Sequence, residues 1–352
     1  MLRGVTIAGM LVVNDPGTWG AVYPPLLHAE WDGWTYTDTI FPFFLFLVGV
    51  SLTLSFAGRR ARGETPPTLL RHSLMRGAIL IALGLALNLI AAFAFHKEHV
   101  RFPGVLQRIG VCVIVAGAVF LLGGARAAAW GAAVLLLVYW GLMSTGPLDR
   151  EGNLAARIDR AVFGAHTWKP DFDPEGLLST LPAVATTLLG ALAGERLRSD
   201  APRARKILEL LVAGAAAAAV GLLWGRVFPI NKSLWSSSYA LLMAGLAGVS
   251  LAVCLAVVDA AGWKRWASPF LWLGRNAIAA FTLATLSAIV LIAVRLERAG
   301  GPPRSLWTTV YRGLFDRFAD PRLGSLLFAL AYLALWTLVF GLLYRRRIFI
   351  RI

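Results

Sequence analysis

Charge is scarce in this 352-residue sequence: Asp, Glu, Lys and Arg make up 15% of it, whereas 58% is apolar. Soluble domains carry about 25% charged residues, so a water-facing globular surface is excluded. Acidic residues are scarcer than basic ones, 19 against 34, leaving a net charge of +15. Nucleic acid is not the implied partner, because the bases form no stripe and cluster in short loops between apolar runs, as the flanks of membrane spans do. Cysteine is almost absent. Cys112 and Cys254 each lie inside an apolar run, which excludes a disulfide framework and a thiolate metal site. Of the five histidines, His96 and His99 sit close together, but a solvated turn accounts for them and no metal is expected. No small-residue cleavage site follows the first apolar stretch, Val5 to Val13, which runs into Asn14–Asp15–Pro16 and is read as a first span. Neither a short-period repeat nor inverted-repeat symmetry is visible, which counts against a transporter.

What the sequence has is apolar runs of membrane length. A spanning helix needs about 20 mostly apolar residues. Such runs fall near 2–14, 38–57, 74–95, 104–124, 127–143, 177–196, 207–228, 238–259, 270–293 and 323–344. They predict an all-α fold, a polytopic membrane helix bundle of about ten transmembrane helices in the lipid bilayer. One transmembrane domain is expected over 1–352, with extracytoplasmic loops near 15–37, 144–176, 229–237 and 294–322. Arginine placement sets the orientation, because positive loops stay in the cytoplasm. Arg59, Arg60, Arg62, Arg71 and Arg76 follow the second run, Arg196 to Lys206 the sixth, Lys264 and Arg265 the eighth, and Arg345, Arg346, Arg347 and Arg351 form the tail. Both termini are therefore expected in the cytoplasm, and the 15–37 loop in the periplasm if the Ala-, Arg- and Gly-rich composition marks a bacterial inner-membrane protein. The 294–322 loop runs against this rule, since Arg298, Arg304, Arg312 and Arg317 fall on the expected outer side.

The loop between the first two runs packs Asn14, Asp15, His28, Glu30, Asp32 and Asp38 among Trp19, Trp31 and Trp34. An interfacial aromatic belt explains the tryptophans; an acceptor platform is the other reading. His28 is the only histidine there, and imidazole is the side chain that gains and loses a proton near neutrality. It can act as a general base or accept an acyl group itself, or it can be a loop histidine bonded to a carbonyl. Asp38 caps the second apolar run, orients His28, or does both. Asn14 is a helix C-cap before Asp15–Pro16, or an amide donor to a developing oxyanion.

The run from Arg3–Gly4 through VVN, HAEWDGWTYTD and IFPFFLFLVGVS resembles the heparan-α-glucosaminide N-acetyltransferase family, including its bacterial members. FPGVLQRIGV at 102–111, DPEGLLSTLPAV at 173–184, FPINKSLWSSSY at 228–239 and PFLWLGRNAI at 269–278 follow in the same order. The resemblance covers nearly the whole chain. It implies an acyl-CoA-dependent N-acyltransferase that takes an acetyl group from cytoplasmic acetyl-CoA, its acyl-donor substrate, and delivers it to an amino sugar or glycan across the membrane. His28 matches the family's catalytic histidine and Asn14 the asparagine of its VN motif. A homodimer is a further expectation from the family.

The phosphates of acetyl-CoA require cations at the cytoplasmic face. Arg275 and Asn276, at the start of the ninth run, are the first candidates, because guanidinium forks match phosphate oxygens. Arg345 and Arg346 are the second, although membrane anchoring explains them as well. Candidate acceptor-binding residues are Trp31, Asn231, Lys232, Trp235 and Arg108, with an Arg108–Asp38 pair as one arrangement. The rival reading is a multi-pass transporter or exporter of a small polar or glycan-like solute, whose path also needs inward polar groups.

Overall fold

The computed structural model of the protein describes residues 1–298 and 301–350. Arg351 of the basic tail lies outside them. Each of the ten apolar runs is helical. The helices are α1 (Leu2–Asn14), α2 (Tyr36–Arg60), α3 (Pro66–Ala94), α4 (Val105–Met143), α5 (Leu154–Phe163), α6 (Thr180–Arg198), α7 (Arg203–Trp224), α8 (Ser237–Cys254), α9 (Ser268–Arg275), α10 (Ala277–Ala293), α11 (Leu306–Leu314) and α12 (Pro321–Arg345). Helices dominate the described residues, and strands are few. The 294–322 connection holds an antiparallel hairpin of β1 (Arg295–Arg298) and β2 (Gly301–Ser305) ahead of α11. The 144–176 loop likewise contains α5, capped by the Asn153 side chain on the Ala156 N–H.

Among the described residues, six helices are long and apolar enough to cross a membrane: α2, α3, α4, α7, α8 with its π-helical extension to Ala260, and α12. The α9–α10 pair, bent by 74°, is a seventh if taken as one broken span. This is an integral membrane protein.

Helix α4 is in fact two helices. Gly123 and Gly124 leave the helical region, with φ/ψ of −154/21 and 60/−141, the second a left-handed conformation that glycine adopts without a Cβ clash. A side chain placed at Gly131 would meet Val119 at 3.3 Å. In a straight helix those positions lie ~18 Å apart. The chain therefore doubles back at Gly123–Gly124, in the short gap between the runs at 104–124 and 127–143.

Small residues bring the helices together where no hydrophobic force distinguishes helix from lipid. A Cβ on Gly49 or Gly190 would fall 1.9 Å from the facing carbonyl of Thr187 or Phe46, so α2 and α6 touch backbone to backbone. Helix α1 meets α9 the same way, a Cβ on Gly4 falling 1.7 Å from the Phe270 carbonyl. These contacts fix α1, α2, α6 and α9 around the space described next.

Candidate active site

The loop between α1 and α2 is tied down at the start of α2. Asp38, at the third position of that helix, accepts from the Thr35 N–H at 2.9 Å, as in the reach-back half of a capping box. The same carboxylate accepts from the Ala29 N–H at 3.0 Å and the Thr35 hydroxyl at 3.2 Å, and its other oxygen lies 2.6 Å from His28 Nδ1. An acceptor held by so many donors leaves Nδ1 as the protonated nitrogen and Nε2 with the free lone pair. Asp38 is 1% exposed and His28 51%, so a buried carboxylate aims a half-open imidazole.

A second constraint comes from Pro42. It removes the N–H that would bond the Asp38 carbonyl one turn earlier. The buried Tyr239 hydroxyl, from α8, donates to that carbonyl instead, at 2.5 Å. Tyr239→Phe is expected to leave the carbonyl unsatisfied and to cost about 1–3 kcal/mol of stability. Thermal unfolding of the purified variant measures this, and an unchanged midpoint would show that the hydroxyl bears no such load.

His28 lines a narrow cavity of about 110 Å³ together with Asn14, Thr6, Met10, Thr37, Phe41, Glu175 and Lys232. Asn14, the last residue of α1, is exposed to this space. Burial pushes the Glu175 carboxyl up, but Arg101, Lys232 and Arg108 outweigh it and hold it well below the usual carboxylate range. Lys232 Nζ stands 3.9 Å from Glu175.

The neck lies between two larger spaces and shares lining residues with each. At the Arg-rich end of the bundle, a cavity of about 680 Å³ is lined by Arg3, Arg59, Arg62, His72, Arg76 and Arg275, and shares Ile278 with the neck. Arg59 and Arg62 engage Glu64. Arg3 donates to the Gly274 carbonyl, Arg275 lies over the Tyr344 and Phe349 rings, and no acidic side chain pairs with Arg3, Arg76 or Arg275 among the described residues. The buried Nε of Arg76 has no hydrogen-bond partner among them. At the opposite end, a cavity of about 800 Å³ shares Met10, Asn14, Val105 and Phe281 with the neck and is lined further by Asp15, Trp19, Trp307, Tyr311, Arg312 and Asp316.

One face of α1 connects these spaces. Arg3, Thr6, Met10, Val13 and Asn14 recur at helical spacing and line the basic cavity, then the neck, then the far cavity. From Arg3 to Asn14 the helical rise gives ~16 Å.

The structure thus groups His28, Asn14, Asp38 and Lys232 at the neck and Arg275 at the basic cavity. Other expected site residues lie elsewhere. Arg108 does not pair with Asp38, whose oxygens are already taken; it is buried, donates to Gly176 O and Ser179 Oγ, and lies 5.1 Å over Trp235. Trp235 is itself fully buried against Phe41 and Tyr239 and lines none of the three cavities. Asn231 is a loop organiser, bonding Asp32 and the Leu234 N–H and so clamping the His28 loop to the 229–237 loop. Trp31 docks the 144–176 loop, donating to the Leu148 carbonyl and meeting Phe172 edge-on. Asn276 holds the tail backbone at Ile348 and Ile350. That clamp brings Ile350, not Arg345 or Arg346, to the basic cavity. Sequence reasoning names neither Glu175 nor Tyr239 as a site residue, and it reads Arg3 only as part of a motif, Asp15 only as part of the polar loop and Arg76 only as an orientation signal.

These features define a helical integral membrane protein whose carboxylate-held histidine lines a narrow cavity between a basic cavity and a second, larger space. The sequence profile described as heparan-alpha-glucosaminide N-acetyltransferase, catalytic, matches residues 1–226. The chain belongs to that family. It is 29% identical over 344 residues to the heparan-alpha-glucosaminide N-acetyltransferase of Homo sapiens, covering 78% of this chain and 50% of that protein. With its Mus musculus counterpart the identity is 27% over 342 residues, covering 78% and 51%. The chain spans about half the length of the curated relatives it matches.

Proposed function

We propose that the protein is a multi-pass N-acetyltransferase that takes acetyl from cytoplasmic acetyl-CoA and passes it to an amino sugar or glycan on the other side of the membrane. The observation that carries this reading is the His28–Asp38 pair at the neck between a basic cavity and a far cavity. The phosphates of acetyl-CoA pair with Arg3, Arg76 and Arg275, for which the orphaned Arg76 Nε is a fitting donor. The neck is too small for a sugar but suits the linear pantetheine arm, whose reach is of the order of the α1 face. The thioester then lies beside Asn14 and His28. Asn14 donates to the carbonyl oxygen as charge develops. His28 Nε2 takes the proton of the attacking amine, or itself carries the acetyl group, while Asp38 balances the imidazolium. Lys232 at the neck and Trp19 at the far cavity face the acceptor side.

The accompanying topology has ten crossings, with the halves of α4 counted separately, α9–α10 as one broken span, and α1 and α6 as the remaining two. Both termini are cytoplasmic, the His28 loop is periplasmic, and the chain works as a homodimer. Three cavities in series also suit a solute path, so two assays separate the readings. Purified protein given labelled acetyl-CoA and glucosamine should form N-acetylglucosamine; uptake of solute into proteoliposomes without acetyl-CoA turnover would replace the enzyme with a transporter.

A further inference from the structure

Asp15 has no part in the chemistry described so far. It follows the last turn of α1, is 9% exposed, and lines the far cavity immediately after Asn14. Its backbone neighbourhood is firmly held: the Trp307 indole donates to the Pro16 carbonyl, and the Gly17 N–H donates to the Ser325 carbonyl. Its carboxylate has no hydrogen-bond or ion-pair partner among the described residues, although buried polar groups are nearly always paired. A carboxyl so placed wants a cation, and the space beside it accommodates a sugar-sized ligand. The other charged or titratable groups around this cavity are Tyr311, Arg312 and Asp316, with Tyr332 of α12 behind Asp15. Arg312 and Asp316 offset one another, and neither has an ion pair with Asp15.

Building on the proposed acetyltransferase reading, we infer that Asp15 is the acceptor's ammonium site, binding a primary amine in its protonated form and removing the first proton before attack. An amine is bound most readily as R–NH3⁺ yet attacks only as R–NH2, so a transferase needs two proton acceptors in sequence. Asp15 takes the first proton and later releases it to solvent through the far cavity. The free amine then forms its N–C bond to the thioester carbonyl as the C–S bond breaks. The second N–H proton passes to His28 Nε2 and on to the departing thiolate. Atoms and charge balance, with one proton released overall. Asn14 lines both cavities and Asp15 the far one, which places the ammonium site one residue from the neck. Burial pushes the Asp15 carboxyl up to about 7, well above the usual carboxylate range, which makes it a better proton acceptor than an exposed carboxylate.

The test is glucosamine binding to the purified full chain without acetyl-CoA, by isothermal titration at pH 7.5, with N-acetylglucosamine as the neutral control. Wild type should prefer glucosamine, and Asp15→Asn should lose that preference, about 10-fold in Kd. In turnover, Asp15→Asn should raise the KM for glucosamine by about the same factor and leave the KM for acetyl-CoA unchanged. Folding of the variant is checked directly. A buried acid with a raised pKa loses stability as pH rises from 3.8 through about 7, so Asp15→Asn should unfold at a higher temperature than wild type at pH 8, by a margin that shrinks toward pH 5. Equal glucosamine affinity in a folded Asp15→Asn variant overturns the assignment. Glucosamine binding lost on Asp15→Asn, in a protein that transfers no acetyl group, would uphold the site and refute the acetyltransferase reading.

Discussion

His28→Ala should lower the rate of acetyl transfer by about 10²- to 10⁴-fold, the usual contribution of a positioned acid–base group, while leaving acetyl-CoA affinity within a factor of about two of wild type, as expected for a residue outside the phosphate site. The split follows from where the residue stands. His28 lines the neck, whereas the arginines that meet the phosphates line the basic cavity beyond it. His28→Gln keeps a hydrogen bond to Asp38 but has no basic nitrogen, so it should be as inactive as alanine. Asp38→Asn should fall between the His28 variants and wild type: it removes a carboxylate that accepts from His28, Ala29 and Thr35, disturbing the loop as well as the tautomer. The measurement is labelled transfer to glucosamine alongside CoA titration of each variant. Transfer by His28→Ala at the wild-type rate removes the histidine from the mechanism. Loss of CoA binding in step with activity reassigns His28 to the structure of the neck.

Much of this arrangement was legible because it is local. His28 and Asp38 lie ten residues apart, bridged by a loop whose Thr35 and Asp38 announce a helix start, so their meeting needs only one capped turn. The paired glycines at 123–124 likewise reveal the fold-back in α4, since only glycine enters the left-handed region without strain. What sequence could not supply is long-range pairing. Tyr239 reaches the Asp38 carbonyl across 201 residues, and its partnership depends on Pro42 having freed that oxygen. The Arg108–Asp38 arrangement does not form, because a buried arginine says that it needs acceptors but not which ones; Gly176 and Ser179 accept from its Nη2. The tail arginines were ambiguous for a different reason. Positive charge at a span end marks topology and ligand equally well, and only the Asn276 clamp decides that Ile350 turns toward the cavity.

Arg76→Ala should weaken acetyl-CoA binding by about 10- to 100-fold, as removal of a charge-assisted hydrogen bond of about 1.5–3 kcal/mol implies. Among the basic residues of that cavity, Arg59 and Arg62 are engaged by Glu64, Arg3 is bonded to Gly274, and Arg275 lies over two rings. Arg76 differs in having a buried Nε with no partner, so its desolvation is left uncompensated until a ligand oxygen arrives. Substitution should therefore cost the protein little stability while costing the ligand a contact. Binding is expected to weaken with salt in wild type, because the phosphates are drawn by several clustered cations, and to do so less steeply in Arg76→Ala. Dephospho-CoA reports which phosphate is involved: if Arg76 holds the ribose 3′-phosphate, the variant and wild type bind dephospho-CoA equally, whereas a pyrophosphate contact preserves the difference. Wild-type affinity for acetyl-CoA in Arg76→Ala, with the salt dependence unchanged, would move the nucleotide out of this cavity.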